Sequence, residues 1–353
     1  YSSTEGFVIS GNTLARNYPA TMALLTEIML QPRWDAEELE TIRRETVSNL
    51  EQSAASPNAI ASSEWNKLMY GEDNIRAYNE LGTAASIPAI TMEDLKAYYN
   101  DYLSPSVTKM NVVGALDQAA VTAPLSKLVE IWLAKDVAVK QWPIPTPPAT
   151  AKVYFYDVPG AKQSVLRIGK PAPTVTDADY YPATVMNYIL GGGGFASRLT
   201  QELREGKGYT YGIRSGFSGS KEVGEFQIGS GVRSNVTLES AQAIKEILED
   251  YPETFSEKDL ETTRSFLTKS NARAFETAGA KLRMLDNMSE YGWKADYVKG
   301  REAIVRGMSQ KKIKQLAEQY LKPGEMIWLV VGDAATQLER MKELGYGEAV
   351  RLN

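Results

Sequence analysis

The amino-acid sequence predicts an α+β protein built from two tandem units, and two observations support this prediction. The first is an internal repeat, because the Tyr-x-x-Pro motifs that begin at Tyr102 and Tyr320 belong to a longer stretch that matches at one constant offset (320 − 102 = 218). A second block, around Leu39 and Leu260, matches at a nearly equal offset (260 − 39 = 221). The other observation is that strand-like runs alternate with pairs of helices, without a regular strand–helix–strand rhythm. Each unit is therefore expected to be an antiparallel-dominated sheet with helices on one face.

In the first unit, apolar residues recurring at helical spacing predict three helices. These cover Tyr18–Leu30, a segment from Ala36 to Leu50, and Met92–Tyr102. Asp35 stands directly before the second helix, where a side chain that caps the first turn is expected.

A Pro-rich segment, residues 139–151, predicts an extended linker between domains at 1–138 and 152–353. The second domain opens with a strand-like run at Val153–Tyr156. Its predicted helices are Tyr181–Leu190, Thr237–Asp250, Glu257–Phe275 and Gln310–Tyr320, and its predicted strands are Ser164–Gly169, Gly208–Ser218, Gly224–Gly231 and Met326–Val331. The part of this domain that precedes Gly224 has no counterpart before Gly6, so we expect the first copy to be truncated at its N-terminus.

The composition excludes several classes of catalytic site. The 353 residues include no His and no Cys, so the sequence contains no Ser-His-Asp triad, no thiolate nucleophile, no His-ligated metal and no disulfide. The formal net charge of −5 argues against a nucleic-acid partner, because such partners require a basic surface. No apolar run approaches the roughly 18 residues that a membrane span needs.

The most conspicuous motif is the run of four glycines at Gly191–Gly194, followed by Phe195. A dinucleotide-binding loop is not expected here, because such a loop follows a strand and this run follows a predicted helix. Four successive glycines instead indicate close approach by another element. Taken alone, Arg204 and Tyr211 are interpreted as a solvated helix charge and a half-buried strand aromatic.

The stretch Leu190–Leu199 together with Glu202–Tyr211 closely resembles the second-domain signature of the pitrilysin/insulinase-type zinc metallopeptidases. The pattern from Tyr78 to Gly114 is similar to the tail of the first domain in that family. The resemblance spans nearly the whole chain and implies two tandem domains of the mitochondrial-processing-peptidase type. In this family, four such domains close around a peptide, and one half binds zinc through an H-x-x-E-H motif.

The resemblance also implies roles for individual residues. Arg204 and Tyr211 match the Arg/Tyr pair, seven residues apart, that the family places near the scissile bond. The Tyr hydroxyl would donate to the developing oxyanion, and the Arg guanidinium would bind a substrate carbonyl. The sheet edge beside the glycine run would bind the peptide, which makes the substrate-binding candidates Gly191, Gly192, Gly193, Gly194 and Phe195.

One departure from the family is decisive, since the sequence contains no H-x-x-E-H motif. Either the chain is the non-zinc half of a two-subunit or fused enzyme, or it is a fragment whose missing segment carried the motif. In the second case, Glu51 is the candidate third zinc ligand. Active members usually have Glu seven residues before that ligand, whereas this sequence has Arg44.

The sequence therefore predicts half of a zinc metallopeptidase, with peptide or unfolded protein as its substrate and the zinc on a partner half or subunit. The chain alone is expected to bind no zinc tightly and to hydrolyse nothing. Two alternatives stay open: a non-catalytic scaffold subunit of the same fold, as in the core subunits of a respiratory complex, and a simple peptide-binding module. The resemblance suggests the bacterial periplasm or cytoplasm as the location.

Overall fold

The structure is a computed structural model that describes residues 2–270 and 275–353. Contacts between residues divide the described chain into two units, neither of which is continuous in sequence. Unit 1 comprises residues 2–53, 79–142 and 275–293, and unit 2 comprises residues 54–78, 143–270 and 294–353. The domain limits 1–138 and 152–353 divide the chain by its repeat instead, and they stay a prediction.

The regular elements are labelled in chain order. The helices are α1 (Tyr18–Leu30), α2 (Ala36–Ala54), α3 (Pro57–Tyr70), α4 (Met92–Tyr102), α5 (Gln118–Ile131), α6 (Tyr180–Asn187), α7 (Thr237–Thr254), α8 (Glu257–Ser270), α9 (Ala278–Tyr291), α10 (Tyr297–Gly307), α11 (Gln310–Tyr320) and α12 (Ala334–Gln337). The strands are β1 (Ser2–Ser3), β2 (Gly6–Phe7), β3 (Lys152–Asp157), β4 (Gln163–Pro171), β5 (Thr210–Gly219), β6 (Gly224–Arg233), β7 (Ile327–Gly332) and β8 (Val350–Arg351).

Unit 2 is built on a six-stranded mixed sheet with the order β5-β6-β4-β7-β3-β8. Strand β3 pairs in parallel with β7 and β8, whereas the pairs β4–β6, β4–β7 and β5–β6 are antiparallel. The pairing leaves β5 as an edge strand. These observations confirm the predicted α+β class and place the edge strand directly after the glycine run and its helix.

Helices cover both faces of this sheet. On one face, Leu166, Ile168, Phe226 and Ile228 are buried in the main core, against helices that include α6, α7 and α11. On the other face, α3 packs on β4 and β7. The residues in this smaller cluster are Ala61, Trp65, Met69, Val165, Ile327, Leu329 and Val331. The prediction of helices on one face only is therefore wrong, because the apolar stripe of α3, which was not recognised in the sequence, buries the second face.

Unit 1 consists mainly of helices, namely α1, α4, α5, α9 and most of α2. Within its described residues, the short hairpin β1–β2 is the only paired sheet. Polar contacts link distant parts of the unit; for example, Tyr99 Oη donates to the Met29 carbonyl at 2.7 Å, and Lys109 pairs with Glu290 at 2.8 Å. Helices α1 and α4 have the predicted bounds, and Asp35 caps α2 by accepting from two backbone amides.

The remaining predictions for secondary structure differ mainly at the ends. The helix predicted for Glu257–Phe275 is observed as α8, and its positions 271–274 lie outside the described residues. Helices α5, α9, α10 and α12 were not predicted either. None of the helices in the described ranges combines the length and apolarity needed to cross a bilayer.

Candidate functional site

The glycine run lies in unit 2, where α6 continues into a wider π-helical turn at Tyr188–Gly192. Gly191 in this turn lies directly against strand β5. A Cβ at Gly191 would overlap the Ser215 hydroxyl and lie 2.6 Å from the Ser215 amide nitrogen. The contact is reinforced by Asn187, whose amide donates to the Ser215 carbonyl at 2.9 Å while accepting from its hydroxyl. The close approach that the sequence indicated is therefore between this turn and the edge strand.

The other three glycines allow the chain to turn back tightly after the π-helical turn. A Cβ at Gly192 would lie 2.9 Å from the Asn187 side chain, and one at Gly193 would lie 2.7 Å from the Tyr188 carbonyl oxygen. Gly194 has a φ of +58°, in the left-handed region that favours glycine. A short 3₁₀ turn at Gly194–Ala196 then presents Phe195 to solvent, and this side chain is 61% exposed.

A second π-helical segment, Thr200–Gly206, carries Arg204. Two residues fix its start, because Ser197 Oγ donates to the Gly194 carbonyl at 2.7 Å and lies 3.0 Å from Thr200 Oγ1. Such wide turns are rare in proteins and occur frequently at functional sites. Here one lies on each side of the short turn that carries Phe195.

Arg204, Tyr211 and Phe195 form a single cluster. The guanidinium carbon of Arg204 lies 5.2 Å from the ring centroid of Tyr211 and 4.7 Å from that of Phe195. A bulge between Thr210 and Ile213 leaves Tyr211 outside the strand register, and the side chain is 90% exposed. Within the described residues its hydroxyl has no hydrogen-bond partner. The cluster therefore presents an exposed phenol and a partly exposed guanidinium whose Nε pairs with Glu205 at 3.3 Å, and both groups can donate hydrogen bonds.

An ion-pair network holds the start of the second π segment against α7 and α8. Arg198 donates to the Thr254 hydroxyl, to the Thr254 carbonyl at 2.7 Å and to Asp259 at 3.0 Å, and its guanidinium lies over the Tyr251 ring. Partial burial raises the pKa of the Asp259 carboxyl, but hydrogen bonds from Ser256 and Arg198 outweigh this effect and hold the pKa below its ordinary value. This network was not predicted from the sequence, although Arg198 lies inside the glycine-rich motif.

The described residues do not offer a zinc site. A structural or catalytic zinc requires at least three converging protein ligands, and no group of three or more Asp or Glu side chains converges in residues 2–270 and 275–353. Glu51 lies on α2 as an exposed side chain. The donor set therefore does not fit zinc, and no chemical step is assigned to a metal on this chain.

Comparisons with known proteins agree with the architecture. The sequence profile of the family described as "Peptidase M16 inactive domain" matches residues 89–267. A Bacillus subtilis protein named "Uncharacterized zinc protease YmxG" is 23% identical over 80% of this chain and 68% of its own length. A Helicobacter pylori protein named "Non-peptidase homolog YmxG" is 22% identical over 94% of this chain and 76% of its own length.

The fold has a clear counterpart among solved structures. The crystal structure of a peptidase M16 inactive domain from Pseudomonas fluorescens superimposes with a TM-score of 0.80 at 24% sequence identity. The match covers 90% of this chain and 76% of the Pseudomonas chain. At this level of identity the likeness supports the fold alone.

Proposed function

Because this chain belongs to the Peptidase M16 inactive-domain family, we propose that it is the zinc-free half of a zinc-dependent peptidase, which binds the peptide and contributes Arg204 and Tyr211 to transition-state stabilisation. The observation that carries this proposal is the exposed cluster in which the Arg204 guanidinium lies over the rings of Tyr211 and Phe195. The zinc and its H-x-x-E-H motif would belong to a partner half or subunit. The names of two relatives, one a zinc protease and one a non-peptidase homolog, are compatible with a family that includes both kinds of chain.

The cluster can contribute to peptide hydrolysis without holding the metal. Negative charge develops on the carbonyl oxygen of the scissile bond, and a fixed phenol at Tyr211 would donate a hydrogen bond to it. The guanidinium of Arg204 would bind a neighbouring peptide carbonyl, while Phe195 supplies an apolar surface beside it. Edge strand β5 adds main-chain hydrogen-bonding groups for an extended peptide.

We further propose that the predicted domains, residues 1–138 and 152–353, descend from a tandem repeat. Helices α4 and α11 have equal lengths and begin at the first offset of the repeat (310 − 92 = 218), and each follows a Thr or Ser cap. Helices α2 and α8 begin at the second offset (257 − 36 = 221), and α3 and α9 have both ends at that same offset. These coincidences support the repeat, and the incompleteness of its first copy stays a prediction.

The proposed role is tested by mixing this chain with an H-x-x-E-H-bearing M16 chain from the same organism and following cleavage of a quenched fluorescent peptide. Cleavage is expected to require both chains. Tyr211→Phe should lower kcat about 10²–10³-fold with a smaller effect on KM, because one oxyanion donor is removed. Tyr209→Phe is the matched control, since it makes the same change two residues away. An unchanged kcat in Tyr211→Phe would refute the assigned role.

The scaffold alternative predicts a different outcome. If this chain is a structural subunit, the zinc-bearing chain should cleave the peptide equally well without it, although the two chains could still co-purify. Metal analysis of the purified chain tests whether this chain itself binds zinc. Stoichiometric zinc at neutral pH would contradict a zinc-free half and would return attention to Glu51.

A further inference from the structure

Two arginines face an open groove of about 590 Å³ on the sheet of unit 2. The groove lies on the face that α3 partly covers, beyond the apolar cluster. In the strand register, Gly229 of β6 is paired with Arg167 of β4 on one side and with Arg214 of β5 on the other. Neighbouring strands are about 4.8 Å apart, so the two arginine Cα atoms are separated by about 10 Å. Their side chains therefore flank one glycine on a single cross-strand row.

The fold does not fully satisfy these two guanidinium groups. Arg167 is half-buried, and it donates to Gln227 Oε1 at 2.6 Å and to Ser62 Oγ at 3.4 Å. Its Nε atom has no partner within the described residues, and burial lowers the pKa of Arg167, although the negative charge of Glu225 opposes that shift. Arg214 is exposed and makes no hydrogen bond or ion pair within the described residues. Arg167 uses only two of its five N–H donors in these bonds and its unpaired Nε is buried, whereas Arg214 uses none of its five, so both groups keep donors for an acceptor in the groove.

The floor of the groove is unusually bare. Gly216 and Gly231 line it, and a Cβ at either position would meet no atom within 4 Å. Neither residue has a positive φ. Glycine weakens a strand interior, and it marks positions where another backbone or a ligand approaches closely. Neither packing nor backbone conformation within the described residues requires these glycines, and their lack of side chains leaves room for another chain to lie on the sheet.

We propose that this arginine groove, formed by Arg167, Arg214, Gly216, Gly229 and Gly231, binds one carboxylate of an extended peptide. The carboxylate would lie between the two guanidinium groups, which match it through paired N–H donors, and the peptide backbone would rest on the glycine floor. This inference rests on the proposed peptide-binding role and specifies its substrate class as peptides with an acidic group.

A single carboxylate fits the groove better than a polyanion. Glu225 lines one end of the groove, where its carboxylate accepts from Trp65 Nε1 and Ser218 Oγ, both at 3.2 Å. This fixed negative charge would repel a second anionic group. A nucleic acid would also require a broad basic surface, whereas the chain has a net charge of −5.

Fluorescence anisotropy with matched peptides tests the inference. Two extended ten-residue peptides, amidated at the C-terminus, differ only by Glu or Gln at the central position, and a third carries Gln with a free C-terminal carboxylate. We expect at least one acidic peptide to bind about tenfold more tightly than the neutral peptide. Comparison of the two acidic peptides identifies the carboxylate as internal or C-terminal.

Variants test whether the arginine groove is the source of the preference for acidic peptides. Arg214→Gln should abolish the tenfold preference, whereas Arg233→Gln, at the exposed end of β6, should leave it intact. Gly216→Leu should obstruct the floor and weaken binding of all three peptides, while its unfolding curve stays close to that of the unaltered chain.

Equal binding of the three peptides would refute the carboxylate site in the arginine groove, while leaving the proposed peptide-binding role intact. The carboxylate site would also be refuted if the preference for acidic peptides survived Arg214→Gln, or if a ten-residue oligothymidylate bound more tightly than the peptides. If no peptide binds, both the groove and the proposed function are refuted.

Discussion

At the scale of single residues, Gly191 is a position where the fold allows little change. A methyl group there would collide with Ser215 on β5, and the neighbouring Asn187–Ser215 hydrogen bonds leave little room for the strand to move. Gly191→Ala should lower the free energy of unfolding by about 1–3 kcal/mol, as overpacking does elsewhere. Urea denaturation measures this loss. Gly300→Ala is the control, since its Cβ meets nothing within 4 Å inside α10, and a gain of about 0.5–1 kcal/mol is expected.

Equal stability of the Gly191→Ala variant and the unaltered chain would mean that the π-helical turn can withdraw from β5. The same variant also has a functional consequence. If the turn shifts, Phe195 moves with it, so the variant should bind peptide more weakly even where it stays folded.

At the scale of elements, Arg198 ties the second π segment to the end of α7 and the start of α8. Its bonds to Thr254 and Asp259 involve a charged donor, and such bonds contribute about 1.5–3 kcal/mol when one partner is deleted. Arg198→Ala should therefore destabilise unit 2 by about 2 kcal/mol and raise amide hydrogen exchange in Thr200–Gly206. Arg233→Ala is the control, and equal exchange in the two variants would contradict an anchoring role for Arg198.

The same network predicts a pH dependence. The pKa of Asp259 is lowered in the folded state, so its contribution is fully present above the ordinary Asp pKa of about 4 and is lost as the pH falls through the lowered value. The difference in unfolding free energy between the unaltered chain and Asp259→Asn should thus shrink as the pH falls below the ordinary Asp pKa of about 4. Denaturation at a series of pH values measures it, and a constant difference would exclude the ionised carboxylate as its source.

Several elements were predictable because their signal is local. Helix α4 begins after a Thr91–Asp94 capping box and has a clear apolar period, and α11 begins after Ser309, whose side chain accepts from the Lys312 amide. Arg204 and Tyr211 were identified through a spaced motif, and the structure brings them together. Helix α3 was missed because its buried residues find their apolar partners on β4 and β7, far away in sequence. The arginine groove was missed for a related reason, since only strand register places Arg167 beside Gly229 and Arg214.

At the scale of the whole molecule, the chain leaves unit 1 for one helix and later returns to it for another. Helix α3 belongs to unit 2, whereas α9, its counterpart at the second offset of the repeat, belongs to unit 1. Each unit therefore depends on a helix from a distant part of the sequence. This explains why domain limits drawn along a linear sequence do not coincide with the limits drawn from contacts.

Trp65 tests that dependence within the full chain. It is 2% exposed in the cluster on β4 and β7, and its indole nitrogen donates to Glu225 at 3.2 Å. Trp65→Ala should lower the free energy of unfolding by about 3–5 kcal/mol because it leaves a large cavity. Trp65→Phe keeps much of the ring but loses the hydrogen bond, so a smaller loss is expected. Hydrogen exchange should show lost protection in β4 and β7 but not in α1 and α4, and the reverse distribution would assign α3 to unit 1.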